Sequence, residues 1–238
     1  MTVPAKGLFV APCSREAASF AVKAWHYSHV PPSGRCSHWG CWFDGVFDGA
    51  VIVSRGACAN IGQPFGLSQN QIAEVTRIAL RPGHMAPVSQ VLATVVRLLH
   101  RANPGLELLI SYSDQRQQHT GRGVYGACGW TYLGETAREA TLRIHGREVH
   151  ARTISSKYGS RDLRWLQVNV DPTAARVDCP PKHKWALALT PTMREQLVLL
   201  AKPYPKRPKE QAPATTPAGL EGATPIRPLQ SHEAAHVG

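Results

Sequence analysis

The sequence predicts an α/β fold on three observations. Strand-like and helix-like segments alternate over residues 72–134, an antiparallel hairpin precedes them, and an amphipathic helix stands between two apolar strands. In chain order, Ser14 is a plausible N-cap and Arg15 to His26 places Ala18, Phe20, Ala21 and Ala24 near helical spacing, so a first helix is expected there. Residues 37–54 give two β-prone runs joined at Asp44-Gly45, the dipeptide that a type I′ hairpin turn prefers. Ile72 to Leu80 reads as a strand stopped by Pro82-Gly83. After Pro87, Val88 to His100 reads as a helix ended at Pro104-Gly105. Leu106 to Tyr112 reads as an apolar strand, Gly123 to Trp130 as a short helix, and Trp130 to Gly134 as another strand. Residues 141–154 read as two strand-like runs turning at His145-Gly146, and Ser160 to Val168 as a helix broken by Asp171-Pro172. Lys184 to Leu189 is expected as a last strand. Thr190 to Lys202 is a last helix with Met193, Leu197 and Leu200 on its apolar face.

The chain has 238 residues, 43% of them apolar, enough for one sizeable core. A net charge of +11 favours polyanionic partners, of which nucleic acid is the commonest. From Pro203 the composition turns Pro-, Ala- and Thr-rich. Residues 208–238 hold Lys209 and Arg227 against Glu210, Glu221 and Glu233, so the basic excess belongs to the residues before them. The expected organisation is an N-terminal segment (1–14), one catalytic domain (15–207) and a tail (208–238). The apolar run Gly7 to Val10 is too short for a signal peptide, and no stretch approaches the ~18 apolar residues of a membrane helix. A cytoplasmic protein with no membrane partner is expected, its six cysteines as thiols. Cys36, His38 and Cys41 have metal-like spacing, but no fourth ligand accompanies them and strand alternation sends Cys41 to the opposite face.

The order strand, turn, helix, strand, short helix, strand over residues 72–134 resembles the core of the GNAT acyltransferases, and Gly123 to Tyr132 resembles the tyrosine-containing segment that closes it. The resemblance implies a mixed central sheet flanked by helices. It also implies an acyl-CoA donor whose pyrophosphate meets backbone N–H groups where the chain enters the helix at Val88 and Ser89, beside Leu80. The turn departs from the GNAT Arg/Gln-x-x-Gly-x-Gly/Ala pattern, reading Arg81-Pro-Gly-His-Met-Ala-Pro-Val-Ser89.

A narrower resemblance, to the Mom DNA-modification proteins of bacteriophages, runs over about residues 20–207. Its carriers are His26-Tyr-Ser28, Arg55-Gly56, Asn60 to Leu67, Glu74 to Leu80, Ser111-Tyr-Ser-Asp114, Tyr125 to Gly134, Lys157 to Arg161 and Lys182-His-Lys184. It implies conversion of the N6 of adenine in double-stranded DNA to a methylcarbamoyl derivative, which protects phage DNA from host restriction. The cofactors it brings are acetyl-CoA or a related acyl donor, and ferrous iron as a participant.

Adenine N6 is a weak nucleophile, because its lone pair is delocalised into the ring. Its attack needs a positioned base and a stabilised donor, and duplex adenine reaches a pocket by flipping. Asp114, at the end of an apolar strand, is the first choice as general base or metal ligand, against a reading as a loop cap. Glu74 is the rival base, alternating with Arg77 across its strand. Ser111 is placed to hydrogen-bond the flipped base or Asp114, or to be a structural serine. His26, as metal ligand or proton relay, and Tyr27, as a stacking or donor-binding ring, end the first helix. Tyr125 matches the GNAT tyrosine that protonates a departing thiolate, and also contributes to donor binding. For DNA contact, Arg152, Lys157, Tyr158, Arg161, Arg164, Lys182 and Lys184 form a basic stretch with aromatic residues interleaved, joined by Arg55 and by Asn60 as a reader of adenine's edge. Two other classes compete: a GNAT-type N-acyltransferase acting on a protein or small-molecule amine, and a DNA-binding protein without chemistry.

Overall fold

The computed structural model describes residues 6–56, 58–115, 123–149 and 151–205, with the backbone alone at 139, 140, 151 and 152. The elements are β1 (Leu8–Pro12), α1 (Arg15–Trp25), β2 (Cys36–Phe43), β3 (Val46–Ser54), a 3-10 segment (Ala59–Phe65), β4 (Ile72–Leu80), α2 (Val88–Ala102), β5 (Leu108–Asp114) and α3 (Gly123–Ala127). They continue with β6 (Thr131–Glu135), β7 (Glu139–Ile144), β8 (Arg147–Val149), α4 (Ala151–Tyr158), α5 (Leu163–Asn169), β9 (Ala175–Cys179), β10 (Lys182–Ala188) and α6 (Pro191–Leu200). One unit spans Met1–Pro208. The tail expected at 208–238 lies outside the described residues. No described helix is long and apolar enough to cross a membrane.

Seven strands form one sheet in the order β1-β2-β3-β4-β5-β10-β6, antiparallel throughout except for the parallel pair β4 and β5. Helix α2 covers one face through Val91, Leu92, Val95 and Leu99, which pack with Val51, Leu109, Trp130 and Trp185. The other face takes α1, through Ala18, Ala21 and Val22 against Ala50 and Ile52, and α6, through Met193 and Leu197 against Ile110 and Ala186. This is the expected mixed α/β fold with a central sheet flanked by helices, and it carries β4, α2, β5, α3 and β6 in the expected order.

Local chemistry explains most elements. Ser14 accepts from the Ala17 N–H at 3.2 Å, and Glu16 and Lys23 sit at the α1 ends that favour their charges. Asp44 and Gly45 take φ 49° and 79°, the paired positive values of the expected hairpin turn. Leu8–Pro12, assigned by sequence to a segment outside the domain, instead pairs with β2 as the edge of the main sheet. Sequence also ended the fifth strand at Tyr112, whereas β5 continues through Ser113 and Asp114 because β10 pairs with both.

Between β6 and β10 the chain inserts a small body of its own. Strands β8-β7-β9 form a separate three-stranded sheet over Leu142, Ile144, Ile154, Leu166 and Ala174. The second strand-like run expected within 141–154 stops at Val149, and α4 follows. Helical spacing brings Ile154 and Tyr158 onto this core, so packing overrides local β propensity.

Candidate active site

Two bulges shape the site. In β3, Cys41 pairs with Gly49 and Trp42 with Phe47, so Asp48 is the extra residue. Asp48 is buried and pairs with the Arg81 guanidinium, and its second oxygen accepts from the Met85 N–H at 3.3 Å. Arg81, which opens the turn into α2, is thereby committed to the protein itself. The Asp48 carboxylate organises the chain entering α2.

In β4, Ile52 pairs with Arg77 and Val53 with Val75, leaving Thr76 as the bulged residue, its hydroxyl donating to Ile52 O at 3.0 Å. The bulge shifts the alternation by one. Ala73 and Val75 pack on the α2 side before it, Ile78 and Leu80 after it, and Ala79 packs on the α1 side. Glu74 and Arg77, expected on opposite faces from strict alternation, therefore share the α1 face. Parallel pairing of β4 with β5 ends at Val75 and Ser111, although both strands continue. The sheet forks there.

A cavity of about 400 Å³ fills the fork. It is lined by Val75 to Ile78 and Leu80 of β4, Tyr112 and Ser113 of β5, Trp25, His26 and Tyr27 at the end of α1, His84 in the turn before α2, Val88 at the start of α2, and Val124, Tyr125 and Trp185. Because Tyr112 lies on the α6 side and Trp185 on the α2 side, the slot is reached from both faces of the sheet.

Ser111 sits at the vertex, buried, and its hydroxyl donates to Val75 O at 2.8 Å. Its single proton is then used, so the 2.7 Å contact with Tyr125 has the phenol as donor. Tyr125 stacks on Trp185 at 5.5 Å and meets Trp130 edge-on at 5.2 Å. Burial pushes its hydroxyl up to about 12, against the Ser111 hydrogen bond, with smaller contributions from Tyr27, Cys128 and Glu74. The phenol is a proton donor at any ordinary pH. Sequence had offered Ser111 to the flipped base or to Asp114; its hydroxyl is engaged by Val75 and Tyr125 instead.

His26 is buried where α1 ends, and its ring lies 4.2 Å from that of half-exposed Tyr27. The Ser28 N–H donates to His26 Nδ1 at 3.1 Å, so the neutral ring carries its proton on Nε2. A metal at Nε2 would need that proton on Nδ1, opposed by the Ser28 N–H. Asp114, the other proposed metal ligand, is buried at the end of β5 opposite Lys182 and does not line the slot. Among the described residues no three of His, Cys, Asp and Glu gather as a metal set, so they do not fit the iron that the resemblance brings. Cys36 packs on the α1 side and Cys41 in the α2-side core, splitting the Cys-His-Cys pattern between faces.

The remaining expectations scatter. Leu80, Val88 and Tyr125 line the slot, and Ser89 follows in the first turn of α2, which no side chain caps. Glu74 lies on β4 near the fork without lining it. Arg55 lines a different cavity with Arg35, and Asn60 is exposed in the 3-10 segment. Lys157 and Tyr158 belong to α4, and Arg161 and Lys182 are exposed. Lys184 is half-buried over the Phe65 ring at 5.1 Å, its ammonium held below the usual lysine range by burial. The side chain of Arg152 lies outside the described residues.

Arg77 and Trp185 were missed by sequence reading. Arg77 donates to Thr76 O at 2.7 Å and Val30 O at 3.3 Å, tying the bulge to the loop after α1. Trp185 donates to Ser113 Oγ at 3.0 Å. Beside it, His183 is buried with Nδ1 3.0 Å from the Tyr132 hydroxyl, and burial holds the ring below the ordinary value of 6.5. The unfolded imidazole therefore binds protons more readily than the folded one. Its contribution to stability is full above about pH 6.5 and declines as pH falls below that. Thermal melts between pH 7.5 and pH 5 on His183→Gln beside the unaltered protein are expected to show a shallower acid decline in the variant; parallel declines would assign acid sensitivity elsewhere.

A family model described as the Mom protein family matches residues 7–206. No curated relative matches the chain. Among solved structures, an acetyltransferase from Bacillus subtilis in complex with CoA aligns at 10% identity over 77% of this chain and 99% of its own, TM-score 0.41. An N-acyl amino acid synthase from uncultured soil microbes aligns at 14% over 81% and 95%, TM-score 0.42. An aminoglycoside N(6')-acetyltransferase from Legionella pneumophila aligns at 9% over 80% and 96%, TM-score 0.40.

Proposed function

Because the chain belongs to the Mom protein family, we propose that it is a DNA-modifying transferase that converts adenine N6 in double-stranded DNA to a methylcarbamoyl derivative, shielding phage DNA from host restriction. The carrying observation is the slot through the forked sheet. Entry from both faces lets an activated donor approach from the α2 side and a flipped base from the α1 side, so the reacting atoms meet at the fork.

The residues on the α2 side fit an acyl-CoA. Past Val75 the facing edges of β4 and β5 form no ladder with each other, and the uncapped first turn at Val88 and Ser89 presents backbone N–H groups to an anion. With Arg81 held by Asp48, main-chain donors are the supported means of holding phosphate there. An acyl-CoA would supply an activated acyl carbon and leave as the coenzyme A thiol, while the amide nitrogen and the N6–CH2 bond of a methylcarbamoyl product require a further nitrogen donor and a step other than simple acyl transfer. Around the acyl carbon, Tyr125 holds a proton for the leaving group and the His26 ring is a donor at Nε2. Tyr27, half-exposed at the slot, offers a stacking face for adenine.

Two carboxylates compete for the N6 proton. Asp114 follows slot-lining Ser113 in the chain, and Glu74 lies close enough for its charge to raise the Tyr125 hydroxyl. Expression in a bacterium, digestion of plasmid DNA to nucleosides and mass spectrometry should reveal a heavier deoxyadenosine. It should disappear with Asp114→Asn if that carboxylate is the base, or with Glu74→Gln if the rival is. Unmodified DNA from well-folded protein would instead favour acyl transfer to a protein or small-molecule amine.

A further inference from the structure

The inserted body holds a cavity of its own, of about 320 Å³, between the β7–β8 hairpin and one face of α4. Its geometry follows from two periodicities. Ile144 faces inward where β7 meets Arg147 of β8, and residues 153, 154, 157 and 158 fall on one side of α4 because positions four apart share a helix face. Buried Ile144 and Ile154 make an apolar floor. Arg147 and Lys157 stand exposed at its rim, with the Lys157 ammonium 5.0 Å from the centre of the Tyr158 ring. His145 completes the rim. Its turn position, φ 48°, is held by its N–H donating to Asp171, whose carboxylate also lies 3.8 Å from His145 Nδ1.

Among the described residues no carboxylate lines this cavity. The one behind His145 is buried and engaged by Thr173, and hydrogen bonds, that of the Thr173 side chain foremost, hold it below the usual carboxylate range. Glu148 pairs with Arg143 at 3.5 Å. The chemistry offered is therefore an apolar recess with an aromatic wall under two or three cationic groups. That combination suits a flat, weakly polar ring attached to a phosphodiester. A paired base cannot enter a recess, because its faces are covered by stacking and its edge by its partner, whereas an unpaired one can.

We infer that this cavity binds one unpaired nucleotide of a DNA strand, the base on the Ile144–Ile154 floor against Tyr158 and the phosphates on Arg147 and Lys157. The inference rests on the DNA reading for its polymer but not on the group transfer. It makes the insert the part that holds opened DNA.

The test uses the full chain and a fluorescent twelve-residue oligo-dT, with polarisation measured across a salt series. An Arg147→Ala, Lys157→Ala double variant should weaken single-strand binding by about tenfold or more and flatten the log-affinity against log-salt slope by about 1.4, the signature of two lost phosphate contacts. Both side chains are exposed, so the melting temperature should stay unchanged. On the unaltered protein, ultraviolet cross-linking of the same oligonucleotide carrying 5-iodouracil should label the peptide containing Tyr158, and a fully paired duplex should not. Unchanged affinity and slope, labelling elsewhere, or equal labelling by the duplex would each overturn the inference. Binding is read without turnover. Unmodified adenine with a responsive salt slope would sink the enzymatic reading alone, and modified adenine with an unresponsive slope this inference alone.

Discussion

A Tyr125→Phe protein is expected to fold as before and lose about 10²- to 10⁴-fold in turnover, the range for removing a positioned general acid. The fold should survive because the ring makes the packing contacts. Its stacking on Trp185 and its edge contact with Trp130 use carbon atoms that phenylalanine retains. The hydroxyl alone is lost, and with it the proton now directed at Ser111. Because burial lifts the phenol to about 12, turnover should show no alkaline decline from this group below about pH 11. Ser111→Ala separates positioning from acid chemistry: it keeps the phenol but removes its acceptor and leaves Val75 O without that donor. Turnover should fall less than in Tyr125→Phe, with a stability loss of about 1–3 kcal/mol for the buried fork carbonyl that loses this hydrogen bond. Turnover by Tyr125→Phe within a factor of three of the unaltered protein would make Tyr125 a core residue and end the acid assignment.

Arg81→Ala is expected to destabilise the protein by about 3 kcal/mol, since it leaves the buried Asp48 carboxylate without its ionic partner. For a chain of this length that corresponds to a melting temperature lower by roughly 6–12 °C. The lower end of the range for broken buried pairs applies because the Arg81 side chain is itself about one-third exposed, at 34%. Asp48 also accepts the Met85 N–H, so the loss should loosen the chain entering α2. A higher KM for the donor with nearly unchanged turnover is the kinetic expectation. The two readouts discriminate between roles. A phosphate-binding arginine would raise KM with little effect on melting, whereas the bulge-bound arginine described here affects melting first.

Much of the fold was legible where local signals agree. The Asp44-Gly45 turn, the Ser14 cap and the spacing of Val91, Leu92, Val95 and Leu99 each identify an element with few long-range assumptions. The edge strand β1 was missed because five residues show too little periodicity to distinguish a strand from a leader segment; pairing with β2 makes it one. The α4 helix was read partly as strand because Ile154 and Tyr158 acquire a shared core only after β7, β8 and β9 have formed. At the site, His26, Tyr27 and Tyr125 came from the family resemblance and do line the slot. Trp185 lies 60 residues from Tyr125 and carried no local mark of their stacking.

By itself the sequence determined the order of strands and helices, the basic excess, and the family-like residues at the ends of α1, β5 and α3. These depend on side chains a few residues apart, or on totals that folding leaves unchanged. Only the tertiary structure decided where the sheet forks, that Ser111 directs the Tyr125 proton, that Glu74 and Arg77 share a face, and that Arg81 binds Asp48. The physical reason is register. One extra residue at Asp48 and another at Thr76 reverse the facing of everything beyond them, and an unpaired residue in a ladder is defined by the partner strand, which is distant in sequence.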